Sequence, residues 1–337
     1  MAYSAPATAT EPAAGRPGGP SDIVRAAGLV LAVVAIQALF LTLFTWPVAN
    51  LEPRDLPIVV AGPAPAANAV AQRLSNSQPD AFDIRIVPDA AAADQAIRDR
   101  EAYGGFVVSP QPAGPQIDVH VASGASPVVA QLLTEIGQQA GRGQPVEVVD
   151  VVTADPDDPR GVGLGAGILP LVMTSVAAGI LLTVLLRRRF ARFLGLLGFG
   201  VLAGLVATAI LQYGLDVLPG DYLRNASVVG LTALAVAGAV AGFGAILGRA
   251  GAILVAAVVF LLGNPLSGVA TAPELLPQPW GEIGQLLPPG AGGTLLRSVA
   301  FFDGAAADRP AWILAIWAAL SLLTLIGRAG GPKPQNA

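Results

Sequence analysis

Residues Gly28–Trp46 read GLVLAVVAIQALFLTLFTW, nineteen positions without a charge. A helix crosses about 30 Å of hydrocarbon with roughly 20 apolar residues at about 1.5 Å each. This run, extended to Ala26–Val48, has that length, and Trp46 stands at its end, where an aromatic belt residue belongs. It is too long for the apolar core of a cleaved signal peptide, and no small-x-small cleavage site follows. It reads as a retained membrane anchor.

The other apolar runs crowd into the C-terminal half: Gly165–Leu186, Phe193–Tyr213, Ser227–Leu247, Ala252–Ala270 and Ala311–Ile326. Pro170 falls in the first turns of the first of these, where proline is tolerated. Pro265 interrupts Ala252–Ala270 after Gly263 and Asn264. Glycines recur at four-residue spacing, as in Gly200/Gly204 and Gly238/Gly242, which lets helices approach closely in lipid. Composition agrees: of 337 residues, 53% are hydrophobic and 12% charged, with a mean hydropathy of +0.63. A soluble domain carries about 25% charged residues.

Six crossings leave both termini on one side. That side holds Arg16, Arg25, Arg187, Arg188, Arg189, Arg192, Arg249, Arg328 and Lys333, against Arg224, Arg297 and Arg309 in the opposite short loops. Nine against three favours cytoplasmic termini. The expected fold is therefore an α-helical polytopic protein with six transmembrane helices, set in the cell (inner or plasma) membrane. An extracytoplasmic α/β domain lies between helices one and two. The predicted organisation is a disordered cytoplasmic tail at 1–22, the first helix at 23–48, and the α/β domain at 49–160. A five-helix bundle at 161–328 and a cytoplasmic tail at 329–337 follow.

The domain is read from LPIVVAG (Leu56–Gly62), FDIRIVP (Phe82–Pro88), GGFVVSP, IDVHVAS and VEVVDVV as strands. Helices are expected at Ala66–Leu74, at Asp89–Arg100 capped by Asp89, and at Pro127–Gln139. Over residues 51–160 it carries 15 acids and 7 bases, a solvated acidic module. His120, the single histidine, reads as a surface or edge residue. Residues 264–310 are too apolar for an ordinary loop and too rich in proline for a spanning helix. They read as a re-entrant or interfacial segment, because backbone in hydrocarbon must satisfy its own hydrogen bonds. Trp280, Phe301 and Phe302 suit the interface. Pro288-Pro289-Gly290 reads as a turn before a short helix near Gly292–Phe302.

The chemistry excluded is extensive. There is no cysteine, and one histidine cannot supply a two-imidazole metal site. No P-loop exists, and the only lysine is Lys333. No HExxH, paired intramembrane aspartates or serine–lysine dyad occurs, so an intramembrane enzyme is not expected. The helices hold no ionisable group away from their ends, which argues against ion coupling through this chain. No cofactor and no nucleic acid is implied.

GNPLSG (Gly263–Gly268) and LPPGAGGTLLRSVAFFDGA (Leu287–Ala305), with LPIVVAGP (Leu56–Pro63) and VASGASP (Val121–Pro127), resemble the type-2 ABC exporter permeases. The resemblance is greatest to the phage-infection-protein-like members, built as one helix, a large external domain and five helices. It implies a homodimer or heterodimer of permeases driven by a separate P-loop ATPase subunit, with a lipid, peptide or drug-like substrate. The implied ATPase contact is the turn Arg187, Arg188, Arg189, Phe190 and Arg192, which also anchors the helix end and attracts anionic lipid. The pathway or re-entrant residues are Asn264, Pro265, Ser267, Gly268, Pro288, Pro289 and Arg297. The competing reading is a non-transporting receptor or scaffold whose external acidic domain binds a partner or envelope component. The orientation predicts that a cysteine replacing Ala250 reacts with a membrane-impermeant maleimide only from the cytoplasmic face; labelling from outside alone overturns it.

Overall fold

The computed structural model describes residues 22–111, 114–141 and 145–326. Almost all of the predicted N-terminal tail, with Arg16, and the C-terminal tail, with Lys333, lie outside them, as does Arg328. The chain divides into two compact units, with the boundary between Thr42 and Leu43. That boundary falls inside α1 (Asp22–Ala49), the helix over the expected anchor.

In the second unit the α/β domain follows the last turns of α1. Its strands are β1 (Leu56–Ala61), β2 (Phe82–Val87), β3 (Gly104–Gln111), β4 (Gly114–Val121) and β5 (Val148–Asp150), in sheet order β2-β1-β3-β4-β5. The β3–β4 hairpin is antiparallel and the other pairings are parallel. Three helices cover the sheet: α2 (Ala64–Ser77), α3 (Ala90–Arg98) and α4 (Pro127–Ala140). Alternation along β1 sets the two faces. Ile58 and Val60 join Phe106, Val119 and Leu133 in one core, while Val59 and Ala61 join Ala93 and Ala96 beneath α3. Asp89 caps α3 by accepting from the Ala92 amide at 2.9 Å, as its sequence predicts. His120 departs from expectation. It lies on β4, an interior strand, is buried, and its Nδ1 is 2.6 Å from Asp94 Oδ1. The period-two pattern located the strand, but α3 packing over it decided which polar residue is enclosed.

The bundle follows: α5 (Val162–Leu185), α6 (Arg189–Ala209), α7 (Tyr222–Leu261), α8 (Trp280–Leu286), α9 (Pro288–Phe301) and α10 (Asp308–Ile326). A single π turn, Ile210–Gly214, extends α6. Five helices among the described residues are long and apolar enough to cross a membrane: α1, α5, α6 with its π turn, α7 and α10. The chain is a multi-pass membrane protein.

The α7 helix corrects the expected fifth segment. At Gly248 the backbone takes φ 70° and ψ −160°, a region open essentially to glycine alone. A Cβ built on Gly244 would lie 3.1 Å from the Ala252 Cβ, whereas eight residues of unbroken helix rise about 12 Å. The chain therefore doubles back, and Val240 packs with Ala252 and Ala256 across the fold. The returning arm is helical only to Leu261, not to Ala270. Residues 249–261 rise about 20 Å, short of the hydrocarbon thickness. Non-helical chain completes the return, and Ala270 ends beside Gly165 near the start of α5.

Two smaller corrections follow from element boundaries. Because α5 starts at Val162, Pro170 is an interior proline rather than a first-turn one. Pro288 and Pro289 open α9 itself, where missing amides cost nothing, instead of forming a turn before it.

The first arm of α7 is the hub of the bundle. The Gly200/Gly204 pair lets α6 approach it so closely that a Cβ on Gly204 would stand 2.3 Å from the Ala226 carbonyl oxygen. Gly238 and Gly242 receive Ser321 of α10, and Val240 presses on Gly179 of α5. Gly248→Ala is expected to cost about 1–3 kcal/mol, seen as a lower melting temperature in detergent. Gly198→Ala, on α6 with open space around it, is neutral or slightly stabilising in the same assay.

Candidate functional site

Residues 262–310 hold the α/β domain to the bundle, and they do so with both apolar and polar groups. Ala272 and Leu275 are buried in the domain's own core beside Leu56 and Val108. Phe302 joins Ile97, Ala122 and Ala125. It is buried rather than interfacial as expected, because the domain covers it. On the opposite side, Ala291, Leu295 and Leu296 of α9 pack with Val228, Val229 and Val236 of α7. Backbone bonds add a short ladder: the Glu52 amide donates to Leu275 O at 3.1 Å and the Arg54 amide to Glu274 O at 3.0 Å.

Arg297 is the deepest charge in this junction. Its Nη2 donates to Val269 O at 2.7 Å and its Nη1 to Gly124 O at 3.2 Å. It thereby ties α9 to the broken segment and to the domain at once. Val269 lies in a stretch without helical bonding, so its carbonyl needs an outside donor. Asp158 lines a small crevice with Arg297. Its Oδ2 accepts the Leu164 amide at 2.9 Å, capping the first turn of α5.

The other predicted re-entrant residues gather around this point. Ser267 Oγ donates to Asn264 O at 2.7 Å and accepts from the Val269 amide at 3.4 Å. Gly268 has φ +65°, which closes the turn. Gln285 Nε2 donates to Ser267 O at 2.8 Å, while its Oε1 accepts from Thr294 at 2.6 Å. A Cβ on Gly263 would meet the Pro289 ring at 2.9 Å, and Pro288 is buried beside it. Asn264, Pro265, Ser267, Gly268, Pro288, Pro289 and Arg297 thus form one knot, with Asn264 Nδ2 enclosed and unpartnered.

Three domain residues reach into the same junction, and sequence reasoning missed them. Arg100 Nη1 donates to Thr294 O at 3.1 Å and to Ser298 Oγ at 2.6 Å, and its guanidinium lies 5.1 Å from the centre of the Phe302 ring. Tyr103 donates to Glu274 Oε2 at 2.8 Å. Arg54 Nη1 donates to Leu275 O at 3.1 Å. One signal was available: Glu274 is an acid within apolar TAPELLPQPW, and such a group demands a partner. Burial pushes the Tyr103 phenol well above its ordinary value, reinforced by the charge of Glu274. Burial also lowers Arg100.

These groups wall a cavity of about 490 Å³, within the range of small-molecule sites. Arg54, Arg100 and Arg309 line it together with Asp55, Glu274 and Glu282. Among the described residues no three His, Asp or Glu side chains come together as a metal site.

The predicted ATPase contact lies at the other end of α5 and divides into two parts. Arg189 donates to Ala245 O at 3.2 Å and Thr324 O at 3.4 Å; Arg192 donates to Leu186 O at 2.7 Å and Thr183 O at 2.8 Å. Both therefore satisfy carbonyls at the ends of α5, α10 and the first arm of α7, where positive charge is favoured. Arg187, Arg188 and Phe190 remain exposed. Comparison of the sequence with protein-family models and with curated proteins gives no match.

Tyr103→Phe leaves Glu274 without its phenol donor and is expected to cost about 1–3 kcal/mol. The folded phenol holds its proton above pH ~10, where the unfolded one releases it. Its contribution is therefore complete below pH ~10 and fades as pH rises further. Melting curves from pH 8 to 11 should show this decline in the parent protein and a flatter profile in the variant.

Proposed function

We propose that the protein is the transmembrane permease subunit of an ABC-type exporter, working as a dimer with a separate ATP-binding subunit. Its substrate is lipid, peptide or drug-like. The reading has six crossings with both termini cytoplasmic. They are α1, α5, α6, the two arms folded at Gly248 and α10, the second arm being completed by residues 262–270.

One observation carries the proposal. The first turn of α6 is bonded through Arg189 and Arg192 to the ends of three other helices at once. A load applied there reaches α5, α7 and α10 together, as a coupling element requires. The exposed Arg187, Arg188 and Phe190 offer two cations and a ring to a partner. At the opposite end, Arg297 joins α9 to the α/β domain, so bundle motion moves the domain too.

The receptor reading has its own support in the charged cavity between domain and bundle. Because both halves wall it, such a receptor needs the whole chain, not the domain alone.

Affinity purification of the full chain from its native membrane should bring down a P-loop ATPase. Replacing Arg187 and Arg188 by serine with Phe190→Ala should abolish that association without lowering the melting temperature. Arg189→Ala should lower the melting temperature, since it removes the donor to the Ala245 and Thr324 carbonyls. Retention of the ATPase by the triple variant, or purification with no ATPase, defeats the proposal.

A further inference from the structure

We infer that the cavity between the α/β domain and residues 273–313 binds the head group of a zwitterionic phospholipid, its acyl chain running along α10. This deepens the proposed function by naming the substrate class, and to that extent rests on it.

The charge of the lining comes first. Arg54, Arg100 and Arg309 face Asp55, Glu274 and Glu282, so cations and acids balance. Arg54 is paired with Glu52, and Glu274 accepts from Tyr103. Among the described residues Arg100 has no carboxylate within ion-pair distance, and its hydrogen bonds, to Thr294 and Ser298, leave from Nη1. A guanidinium held by a carbonyl and a hydroxyl keeps its charge and its remaining donors for an anion. Arg309 and Glu282 are exposed, and neither side chain bonds another described residue. One ligand carrying both a phosphate and an ammonium answers both sets.

The position of the cavity supplies the apolar half. Its wall includes Arg309, Pro310 and Ile313, the first turns of α10. From Arg309 the same helix face continues through Trp312, Ile316, Leu320 and Leu323, all exposed. From Trp312 to Leu323 that stripe rises about 17 Å, close to one leaflet of a hydrocarbon core of about 30 Å. A cation therefore stands at the head of an apolar track one leaflet long. A water-soluble zwitterion would leave that track unused.

The test uses the purified full-length chain in detergent, with lipid retention read by native mass spectrometry and no ATPase present. Phosphatidylethanolamine should be retained at least about tenfold better than phosphatidylglycerol, which lacks the ammonium. Arg309→Gln and Glu282→Gln should each weaken retention by about tenfold with the melting temperature unchanged, as expected of exposed, unbonded side chains. Ile316→Ser should weaken phosphatidylethanolamine while leaving any binding of soluble phosphoethanolamine unaltered. Equal retention of both lipids, or no effect of the variants, overturns the inference. Competition by phosphoethanolamine as effective as by the lipid assigns the cavity to a free solute and overturns the lipid. Loss of ATPase association leaves these results unaffected, so the two proposals fail separately.

Discussion

A buried guanidinium holds this molecule's two halves in register. Arg297 is enclosed at the meeting point of α9, the broken segment after Leu261 and the β4–α4 loop. Its charge is costly to bury, and what offsets the cost is a set of carbonyls to which no other described residue donates. Val269 and Gly124 both belong to irregular backbone. Near a membrane such backbone survives only where protein groups satisfy it. The cation and the irregular chain therefore depend on each other, and the position of the α/β domain follows from that dependence.

The same economy governs the opposite end of the bundle. Helix ends leave carbonyls without partners. Arg189 and Arg192 supply donors to three helices from the first turn of α6. Helices α5, α7 and α10 are thus joined at the turn by arginine and along their lengths by glycine contacts. The first arm of α7 touches each of its neighbours through small residues, which replaces the hydrophobic drive that lipid removes.

Much of the fold was legible because its signals are local. Charge-free runs of sufficient length mark helices wherever hydrocarbon is the solvent. Alternation in FDIRIVP and the Asp89 cap mark a strand and a helix start through contacts within a few residues. The knot at Gly263–Gly268 was legible for a related reason: proline and glycine there forbid a spanning helix. The errors were non-local. His120 looked superficial because nothing within its strand announces α3 above it. The helix-end bonds of Arg189 were not legible because their acceptors, Ala245 and Thr324, lie 56 and 135 residues away in the chain. Phe302 looked interfacial because the domain residues covering it precede it by almost two hundred positions.

By itself, then, the chain's order of residues determined which segments are apolar, where glycine and proline break them, and which chemistries are missing. Those properties depend on near neighbours and on solvent. Only the tertiary structure decided that the return from Gly248 is half helix and half loop. It alone brought Arg100, Tyr103 and Glu274 to one cavity wall, and it alone separated arginines that bond helix ends from arginines left exposed. The physical reason is that a long cationic side chain takes whatever acceptor folding brings within reach, and that acceptor is set by packing rather than by spacing along the chain.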